Sequence, residues 1–188
     1  MRLFKNIGYI DVAKLIAEGN VVSIFQGRSE SGPRALGNRS ILFSPELKDG
    51  NFYINKIKGR EWYRPVAGTI LEEYFEEYFD TNGLKSSPYM SFALDVKTKK
   101  TFYIPAITHV DNTCRIQTLS IEQNFHYYNL ISAHNKLTNI PIIGNTSFNL
   151  GGEPIVETKE DAIDVIQRSE IEFLYMPENN LLIFSENE

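Results

Sequence analysis

Apolar residues along this chain recur with two spacings, one typical of β-strands and one typical of amphipathic helices. Short continuous apolar runs, such as 21–25 and 141–144, predict buried strands, and similar runs bounded by turn residues predict others. The predicted strands, in chain order, are 21–25, 41–45, the first part of 66–78, 90–96, 101–104, the region within 105–119, 141–144, 173–176 and 181–184.

Helices are predicted where apolar residues recur every three to four positions. At 11–19 the apolar stripe consists of Val12, Leu15 and Ile16. Asp11 is the expected N-cap and Gly19 the expected stop. Thr158 and Asp161 form a capping-box signal for another helix. The predicted helices are 11–19, 51–57, the second part of 66–78, 124–135 and one that begins after Thr158.

Strands and helices alternate along the chain without a repeat, a low-complexity tract or a linker. This alternation predicts a single mixed α/β domain over residues 1–188. The segments 90–96 and 101–104, joined by the basic turn 97–100, predict a hairpin. The sheet is therefore predicted to be mixed rather than purely parallel.

Composition narrows the classes of function. Apolar residues make up 42% and charged residues 23% of the chain, as in globular proteins, and no run approaches the roughly 20 apolar residues that cross a membrane. The net charge of −5 argues against a general nucleic-acid binder, which needs basic excess. The three histidines are scattered, so no structural metal site is expected. The single cysteine, Cys114, favours a reducing, cytoplasmic location.

The arginines are more informative than the total charge. Six of the eight lie between Arg28 and Arg115, in short segments marked by Gly or Pro. Arginine is the side chain best suited to bidentate binding of phosphate and carboxylate groups. An acidic chain with this arginine pattern is expected to bind a small anion.

The first arginine-rich segment, 27–40, follows a predicted strand and contains three arginines and three glycines. Ligands bind at such strand exits in open α/β sheets, and glycine lets backbone N–H groups approach an anion. The alternative is a surface loop whose arginines pair with acidic residues such as Glu30. The sequence leaves both interpretations open.

The second segment, 58–65, contains Lys58, Arg60 and Arg64. In an extended chain these three side chains would share one side and form a cradle for phosphate. Pro65 favours an extended backbone at the residue before it, which would hold Arg64 in place. The alternative is a basic edge strand that protects against aggregation.

The third segment, 109–115, places a base, a carboxylate and a guanidinium close together as His109, Asp111 and Arg115. Asp111 is a candidate for helping to hold Mg²⁺ near a nucleotide. Two residues of separation on a strand do not require a hydrogen bond between His109 and Asp111. A structural histidine is therefore the alternative.

The fourth segment, 145–154, follows the predicted strand at 141–144 and begins with small amide and hydroxyl side chains. Such groups offer neutral donors to an oxyanion, whereas the alternative is a plain turn. The chain has no Walker-type loop and no Gly-x-Ser-x-Gly elbow, so Ser147 is not expected to be a nucleophile. Cys114 is expected to be a buried, unreactive thiol.

Taken together, these segments resemble the C-terminal domain of the carbamoyltransferases of the nodulation and antibiotic-tailoring type. The resemblance covers roughly residues 10–184 and rests on long motifs in the family's order and spacing. The matching stretches are GRSESGPRALGNRSIL (27–42), INKIKGREWYRP (54–65), SPYM (87–90), IPAITHVDNTCRIQTL (104–119) and NTSFNLGGEPIVET (145–158).

The resemblance implies a YrdC-like α/β domain, with a mixed twisted sheet and flanking helices, that makes carbamoyl adenylate from carbamoyl phosphate and ATP. Mg²⁺ is expected on the ATP phosphates. A metal-bearing actin-like domain, N-terminal in the family and absent from this chain, would pass the carbamoyl group to an acceptor hydroxyl, so a separate actin-like subunit is the expected partner. No membrane or nucleic-acid partner is expected.

The resemblance also selects the candidate site residues. The candidates for catalysis are Lys58, Arg64, Arg115 and Ser147. The candidates for binding substrate or ATP are Arg28, Arg34, Arg60, Asn145 and Asn149, to which the motif arguments add His109, Asp111 and Thr146.

The chain departs from the family pattern in two places. It has Gly68 where the family's Arg-Pro-Phe-Ala-Pro ends in proline, and Asn112 where the family's His-Val-Asp-Gly-Thr has glycine, so the second turn is expected to differ. Two other functions remain open. One is a binding module that keeps the anion pocket without turnover, and the other is a YrdC-like protein of tRNA modification, against which the acidic charge counts.

Overall fold

A mixed sheet of nine strands runs through the residues that the computed structural model describes, 1–186. The strands are β1 (Arg2–Lys5), β2 (Val22–Phe25), β3 (Arg39–Phe43), β4 (Ala67–Leu71), β5 (Ala93–Asp95), β6 (Thr113–Leu119), β7 (Ile142–Ser147), β8 (Phe173–Met176) and β9 (Leu181–Phe184). Their order across the sheet is β1-β9-β8-β2-β3-β7-β4-β6-β5. The pairs β2/β8 and β4/β6 are parallel and the other neighbours are antiparallel. The prediction of a mixed sheet is confirmed.

Helices cover both faces of this sheet. They are α1 (Tyr9–Ala17), α2 (Gly50–Ile57), α3 (Phe75–Tyr78), α4 (Phe125–Thr138) and α5 (Lys159–Gln167). On one face, α1 and α4 bury residues such as Ile16 and Ile131 in a common core. On the other face, α2, α3 and α5 bury Ile54, Phe75 and Ile166 in a second core. The sheet is thus enclosed between two apolar layers, as expected for one α/β domain.

The N-cap of the first helix lies three residues earlier than the sequence predicts. Its N-cap is Gly8, whose backbone N–H donates to Asp11 Oδ2 at 2.9 Å. Asp11 is therefore inside the first turn, where its carboxylate satisfies a free N–H and favours the positive end of the helix dipole. The prediction of Asp11 as the N-cap is wrong, whereas Thr158 caps α5 with Asp161 as predicted.

The strand predicted at 101–104 does not form. Residues Thr101–Tyr103 make a single 3-10 turn, and Phe102 is 86% exposed. Of the four residues only Ile104 is buried, so the segment lacks the alternating buried face that a strand needs. β5 pairs with β6 instead.

The edge strand β1 was not predicted, and the reason is its exposure. All four of its residues are exposed, and its two apolar residues, Leu3 and Phe4, are adjacent, so the sequence lacks the apolar-polar alternation that marks a strand with one buried face. Its pairing with β9 is what makes it a strand.

Strand β7 lies between β3 and β4 and continues through Ser147, three residues beyond its predicted end. The glycine at its centre, Gly144, lies directly against the ring of Phe43. A Cβ at Gly144 would be 2.2 Å from Phe43 Cε2, so the close contact between β7 and this core requires glycine.

We expect Gly144→Ala to lower the free energy of unfolding by roughly 2–3 kcal/mol, because the added methyl group overlaps an aromatic ring in a closely packed core. Urea unfolding measures the change. Gly8→Ala is the matched control, since its Cβ would meet only Asp11 Oδ2, at 3.7 Å, and we expect a loss below about 1 kcal/mol. Equal losses in the two variants would contradict the assigned packing.

Candidate anion-binding site

The candidate site lies at the ends of three neighbouring strands inside the sheet. β7 ends there at Ser147, while β4 and β6 begin there. Ala67 of β4 pairs with Asn145 on one side and with Arg115 on the other. Side chains paired across neighbouring strands point to the same face, so Asn145 and Arg115 share a face with only a methyl group between them.

The basic segment that follows α2 reaches the same strand ends. The sequence predicts an extended backbone for this segment, and the structure shows a turn instead. Lys58 is the C-cap of α2, and Gly59 adopts a left-handed conformation with φ +61°. The N–H of Arg60 then donates to Asn55 O at 3.0 Å, which closes the helix end. The cations are brought together by a helix terminus rather than by the alternation of a strand.

A buried asparagine braces this turn. Asn55 is fully buried, its Oδ1 accepts from Arg60 Nε at 2.5 Å, and its Nδ2 donates to the carbonyls of Trp62 and Arg64 at 3.0 and 2.8 Å. The sequence analysis missed this residue. The sequence signal for it is an asparagine that lies next to Ile54 and near Ile57, two apolar residues of the same short helix.

Lys58 is 2% exposed and ties α2 to the end of β7. Its Nζ donates to Ser147 O and lies 2.9 Å from both Asn149 O and Asn149 Oδ1, and 3.2 Å from Ser147 Oγ. Burial, reinforced by the charge of Arg60, lowers the pKa of Lys58 to about 7. The four oxygens act in the opposite direction, because they accept hydrogen bonds best from the charged ammonium.

Two adjoining cavities open beside these residues. The larger, of about 590 Å³, is bordered by Lys58, Arg60, Arg64, Ser147 and Asn149, together with the glycines of the 150–152 turn. The smaller, of about 160 Å³, is bordered by Arg34, Arg60, Arg115, Asn145, Thr146 and Ser147. Arg60 and Ser147 border both, so the two cavities meet at these residues.

The cations of this site repel one another. Burial, together with the charges of Arg64 and Arg115, lowers the pKa of Arg60 to about 10. Burial and the charge of Arg34 lower the pKa of Arg115. Arg60 Nη2 and Arg115 Nε are buried without a hydrogen-bond partner among the described residues. Unpaired guanidinium nitrogens in a common cavity are the arrangement expected for an anion site.

Carboxylates do not neutralise the centre of this cluster. Among residues 1–186, no ion pair forms to Lys58, Arg60, Arg115 or Arg34. Arg64 is different, since its Nε lies 2.6 Å from Glu61 Oε2. Both side chains of that pair are about half exposed, and such pairs contribute little to stability and exchange readily for another anion.

The arginines of segment 27–40 have different roles. Arg39 is 3% exposed, donates to the carbonyls of Gln26, Gly27, Asn38 and Glu157, and stacks on a phenylalanine ring, so it holds the loop rather than a ligand.

The acidic residue of that loop does not pair with an arginine. Glu30 Oε1 accepts from the backbone N–H groups of Leu36 and Asn38 at 2.7 and 2.8 Å. Arg34 is therefore left to border the smaller cavity. Arg28 is exposed and borders neither cavity, so the structure does not group it with the other candidates.

His109 and Asp111 border a separate cavity of about 280 Å³. Both ring nitrogens of His109 have partners, Thr113 Oγ1 at 3.0 Å and Val66 O at 3.2 Å. Asp111 Oδ1 accepts from Thr113 N and Oγ1, which lowers the pKa of this carboxyl. These contacts favour the structural interpretation of the histidine. They also place both residues apart from the anion cavities.

The turn that contains Asn112 keeps a conformation that glycine would adopt. Asn112 has φ +63°, in the left-handed region that asparagine tolerates better than most residues. The expectation that asparagine changes this turn therefore finds no support in its backbone.

Cys114 is fully buried, and burial raises the pKa of its thiol to about 12, so it is unreactive as predicted. Within residues 1–186, no three His, Cys, Asp or Glu side chains are grouped so that they could hold a metal ion. No helix in the same range has the length and apolar content to cross a bilayer.

The geometry supports charge neutralisation rather than covalent catalysis. Ser147 Oγ donates to Asn149 Oδ1 at 2.6 Å and accepts from Lys58 Nζ at 3.2 Å, so its proton is directed at an amide oxygen rather than at the lysine. Fixed cations and neutral donors surround a space large enough for a phosphate compound. The site can hold anionic oxygens and let two anions approach each other.

The sequence matches the family described as "Carbamoyltransferase C-terminus" over residues 13–183. Nodulation protein NolO of Bradyrhizobium diazoefficiens is 44% identical over 164 residues, which cover 86% of this chain and 30% of that protein. Nodulation protein NolNO of Sinorhizobium fredii is also 44% identical over 164 residues, covering 86% of this chain and 24% of that protein. The chain thus spans less than a third of the length of these relatives.

Two solved structures share the fold. Full-length HypF in its phosphate- and nucleotide-bound form aligns with a TM-score of 0.54 at 17% identity, over 95% of this chain and 21% of that chain. HypF of T. kodakarensis aligns with a TM-score of 0.53 at 18% identity, over 88% of this chain and 21% of that chain. The predicted YrdC-like mixed α/β fold is confirmed.

Arg115, which is half-buried, and Arg39, which is buried, should respond to substitution in opposite ways. We expect Arg115→Ala to abolish binding of a tetrahedral dianion such as sulfate and to change the free energy of unfolding by less than about 1 kcal/mol, because it relieves repulsion. We expect Arg39→Ala to lower that free energy by about 3 kcal/mol, because it leaves several carbonyls unpaired.

Sulfate titration and urea unfolding of both variants check this pair. The assignment of Arg115 to the ligand would be wrong if its variant bound sulfate as the unmodified chain does. The assignment of Arg39 to the loop would be wrong if its variant were as stable as the unmodified chain.

The low pKa of Lys58 predicts a pH dependence for anion binding. A bound dianion favours the ammonium form, so binding takes up a proton once the pH exceeds the pKa of about 7 in the free protein. We expect the affinity for sulfate, which does not titrate here, to fall above pH 7 by up to about tenfold per pH unit. Isothermal titration between pH 6 and 9 measures it, and Lys58→Met should bind more weakly with a flat profile.

Proposed function

Because this chain belongs to the carbamoyltransferase C-terminus family, we propose that it makes carbamoyl adenylate from carbamoyl phosphate and ATP. The observation that carries the proposal is the convergence of Lys58, Arg34, Arg60 and Arg115 on two joined cavities without a carboxylate partner among residues 1–186. Both proposed substrates are phosphate compounds, and their anionic oxygens supply the missing counter-charge.

The proposed chemistry balances with one water molecule. Water cleaves the bond between the carbamoyl group and phosphate, which gives carbamate and inorganic phosphate. A carbamate oxygen then attacks the α-phosphorus of ATP, the bond from the α-phosphorus to the bridging oxygen breaks, and pyrophosphate leaves with the electron pair. The products are carbamoyl adenylate, phosphate and pyrophosphate.

The second step joins two anions, and their repulsion is the obstacle that the site must overcome. Fixed cations neutralise the oxygens of both reactants, and holding the reactants side by side removes the entropic cost of their encounter. Arg60 borders both cavities and is therefore placed to contact both reactants. Lys58, Ser147 and Asn149 form the wall of the larger cavity on the side of β7.

Mg²⁺ fits this proposal as a companion of ATP rather than as a metal held by the protein. Glu61 is the carboxylate residue that borders the larger cavity, and it pairs with Arg64. Mg²⁺ keeps several waters and is often held through substrate phosphates. When bound, it would neutralise charge on the triphosphate, and the residues named above would bind the remaining oxygens.

Transfer of the carbamoyl group to an acceptor hydroxyl requires an acceptor site in addition to this anion site. The nodulation relatives are more than three times as long as the stretch they share with this chain. We propose that a separate actin-like, metal-bearing subunit supplies the acceptor site. The use of ATP and a single buried thiol both suit a cytoplasmic location.

Pyrophosphate release tests the proposed reaction. Purified chain incubated with carbamoyl phosphate, ATP and Mg²⁺ should release pyrophosphate and form carbamoyl adenylate, detected by phosphorus NMR and mass spectrometry. Omission of carbamoyl phosphate should stop the release. Arg115→Ala should reduce the rate at least 100-fold, the scale for loss of one fixed transition-state donor, while the matched variant Arg2→Ala, on exposed β1, should not.

Binding of both substrates without pyrophosphate would instead identify a binding module. Release of pyrophosphate that does not depend on carbamoyl phosphate would point to a different acceptor of the adenylyl group. Either result would refute carbamoyl adenylate formation by this chain.

A further inference from the structure

One residue that borders the smaller cavity has a buried hydrogen-bond acceptor without a partner. Asn145 borders it and is 1% exposed, and its Oδ1 has no donor among residues 1–186. Burying a polar atom without a partner is costly, so such an atom beside a cavity points to a ligand. The partner that is missing must be a hydrogen-bond donor.

The orientation of the Asn145 amide is fixed by its neighbours. Nδ2 donates to the backbone carbonyl of Ala35 at 3.2 Å and to Thr69 Oγ1 at 3.1 Å. The carbonyl of Ala35 can only accept, so an exchange of the amide nitrogen and oxygen would place two acceptors against each other.

The rest of the chain of hydrogen bonds agrees with this orientation. Thr69 Oγ1 donates to Gln117 Oε1 at 2.9 Å, so it must accept from Asn145. Gln117 Nε2 in turn donates to the carbonyl of Leu36 at 3.1 Å. Two backbone carbonyls thus set the direction of every bond, and Oδ1 is the atom of Asn145 that remains for a ligand.

Arg115 presents the complementary group across the same space. Asn145 and Arg115 both pair with Ala67, so they lie roughly 10 Å apart, at two strand spacings on one face of the sheet. Arg115 Nε is buried and unpaired, and Arg34 and Arg60 border the same cavity. A ligand that completes this site carries N–H groups at one end and anionic oxygens at the other.

We propose that Asn145 Oδ1 accepts a hydrogen bond from the amino group of the carbamoyl moiety and thereby selects carbamoyl over acyl substrates. The inference rests on the proposed function, because it assigns the smaller cavity to carbamoyl phosphate and the carbamate formed from it. The arginines bind the anionic oxygens, and Asn145 distinguishes an amino group from a methyl group of similar size. Its role is therefore specificity.

A pair of ligands tests this role on the unmodified chain. Acetyl phosphate has the charge and shape of carbamoyl phosphate, with a methyl group in place of the amino group. We expect acetyl phosphate to bind roughly 10–100-fold more weakly, the range for a missing hydrogen bond that leaves a buried acceptor unpaired. The fluorescence of Trp62, the single tryptophan, beside the cationic turn, follows both titrations.

A pair of variants assigns the effect to one atom. Asn145→Ala should bind the two ligands with equal affinity, because neither finds the acceptor. Thr69→Val disturbs the same buried network but leaves Oδ1 and the Ala35 carbonyl in place, so it should keep the preference for carbamoyl phosphate. The ligand comparison on the unmodified chain remains decisive if Asn145→Ala fails to fold.

The outcomes separate this inference from the proposed function. Equal binding of both ligands by the unmodified chain, or a preference that survives in Asn145→Ala, overturns the role of Asn145 and leaves carbamoyl adenylate formation standing. Binding of neither ligand by the unmodified chain refutes the proposed function and this inference with it. A preference that is lost in Asn145→Ala and kept in Thr69→Val supports the role.

Discussion

The site depends on repulsion between cations that the fold holds close together. Arg60 is flanked by the charges of Arg64 and Arg115, and Arg115 by that of Arg34. This repulsion favours rotamers that place the side chains in solvent, where water screens their charges. The hydrogen bond from Arg60 Nε to Asn55 Oδ1 holds one of them in place, and strand pairing at Ala67 fixes the backbone of Arg115. The rest of the domain therefore supplies the free energy that keeps the site ready for an anion.

The groups that brace Lys58 and Arg60 are neutral, and this choice preserves the charge of both side chains for a ligand. Carbonyl and amide oxygens of Ser147 and Asn149 surround Lys58, and the amide of Asn55 holds Arg60. A carboxylate in any of these places would form an ion pair and compete with a bound phosphate. Glu30, the carboxylate of the arginine-rich loop, accepts from backbone N–H groups instead. The domain thus orients positive charge without cancelling it.

The sequence predicts the parts of this arrangement that depend on local pattern and misses those that depend on long-range pairing. Apolar runs locate β8 and β9, and spacing locates most helices, because periodicity reports burial directly. The segments that contain Arg60, Arg115 and Ser147 are predicted to form an anion site, and the structure brings these three residues to one cavity. The role of Asn55 could not be predicted, because its partners are carbonyls whose positions depend on the turn after α2. Arg39 and Arg34 look alike in sequence and differ only in what the folded loop places beside them.

The site is divided into two cavities that meet at Arg60 and Ser147, and the smaller one lies where the sheet carries a small residue. Ala67 separates Asn145 from Arg115, and a larger side chain there would occupy the space between them. The larger cavity lies on the other side of Arg60 and Ser147, next to the end of α2. A small anion and a larger one can therefore bind side by side, each near cations, with Arg60 at their junction. The proposed reaction needs such an arrangement, because a carbamate and the α-phosphate of ATP repel each other in water and would each keep a counter-charge here.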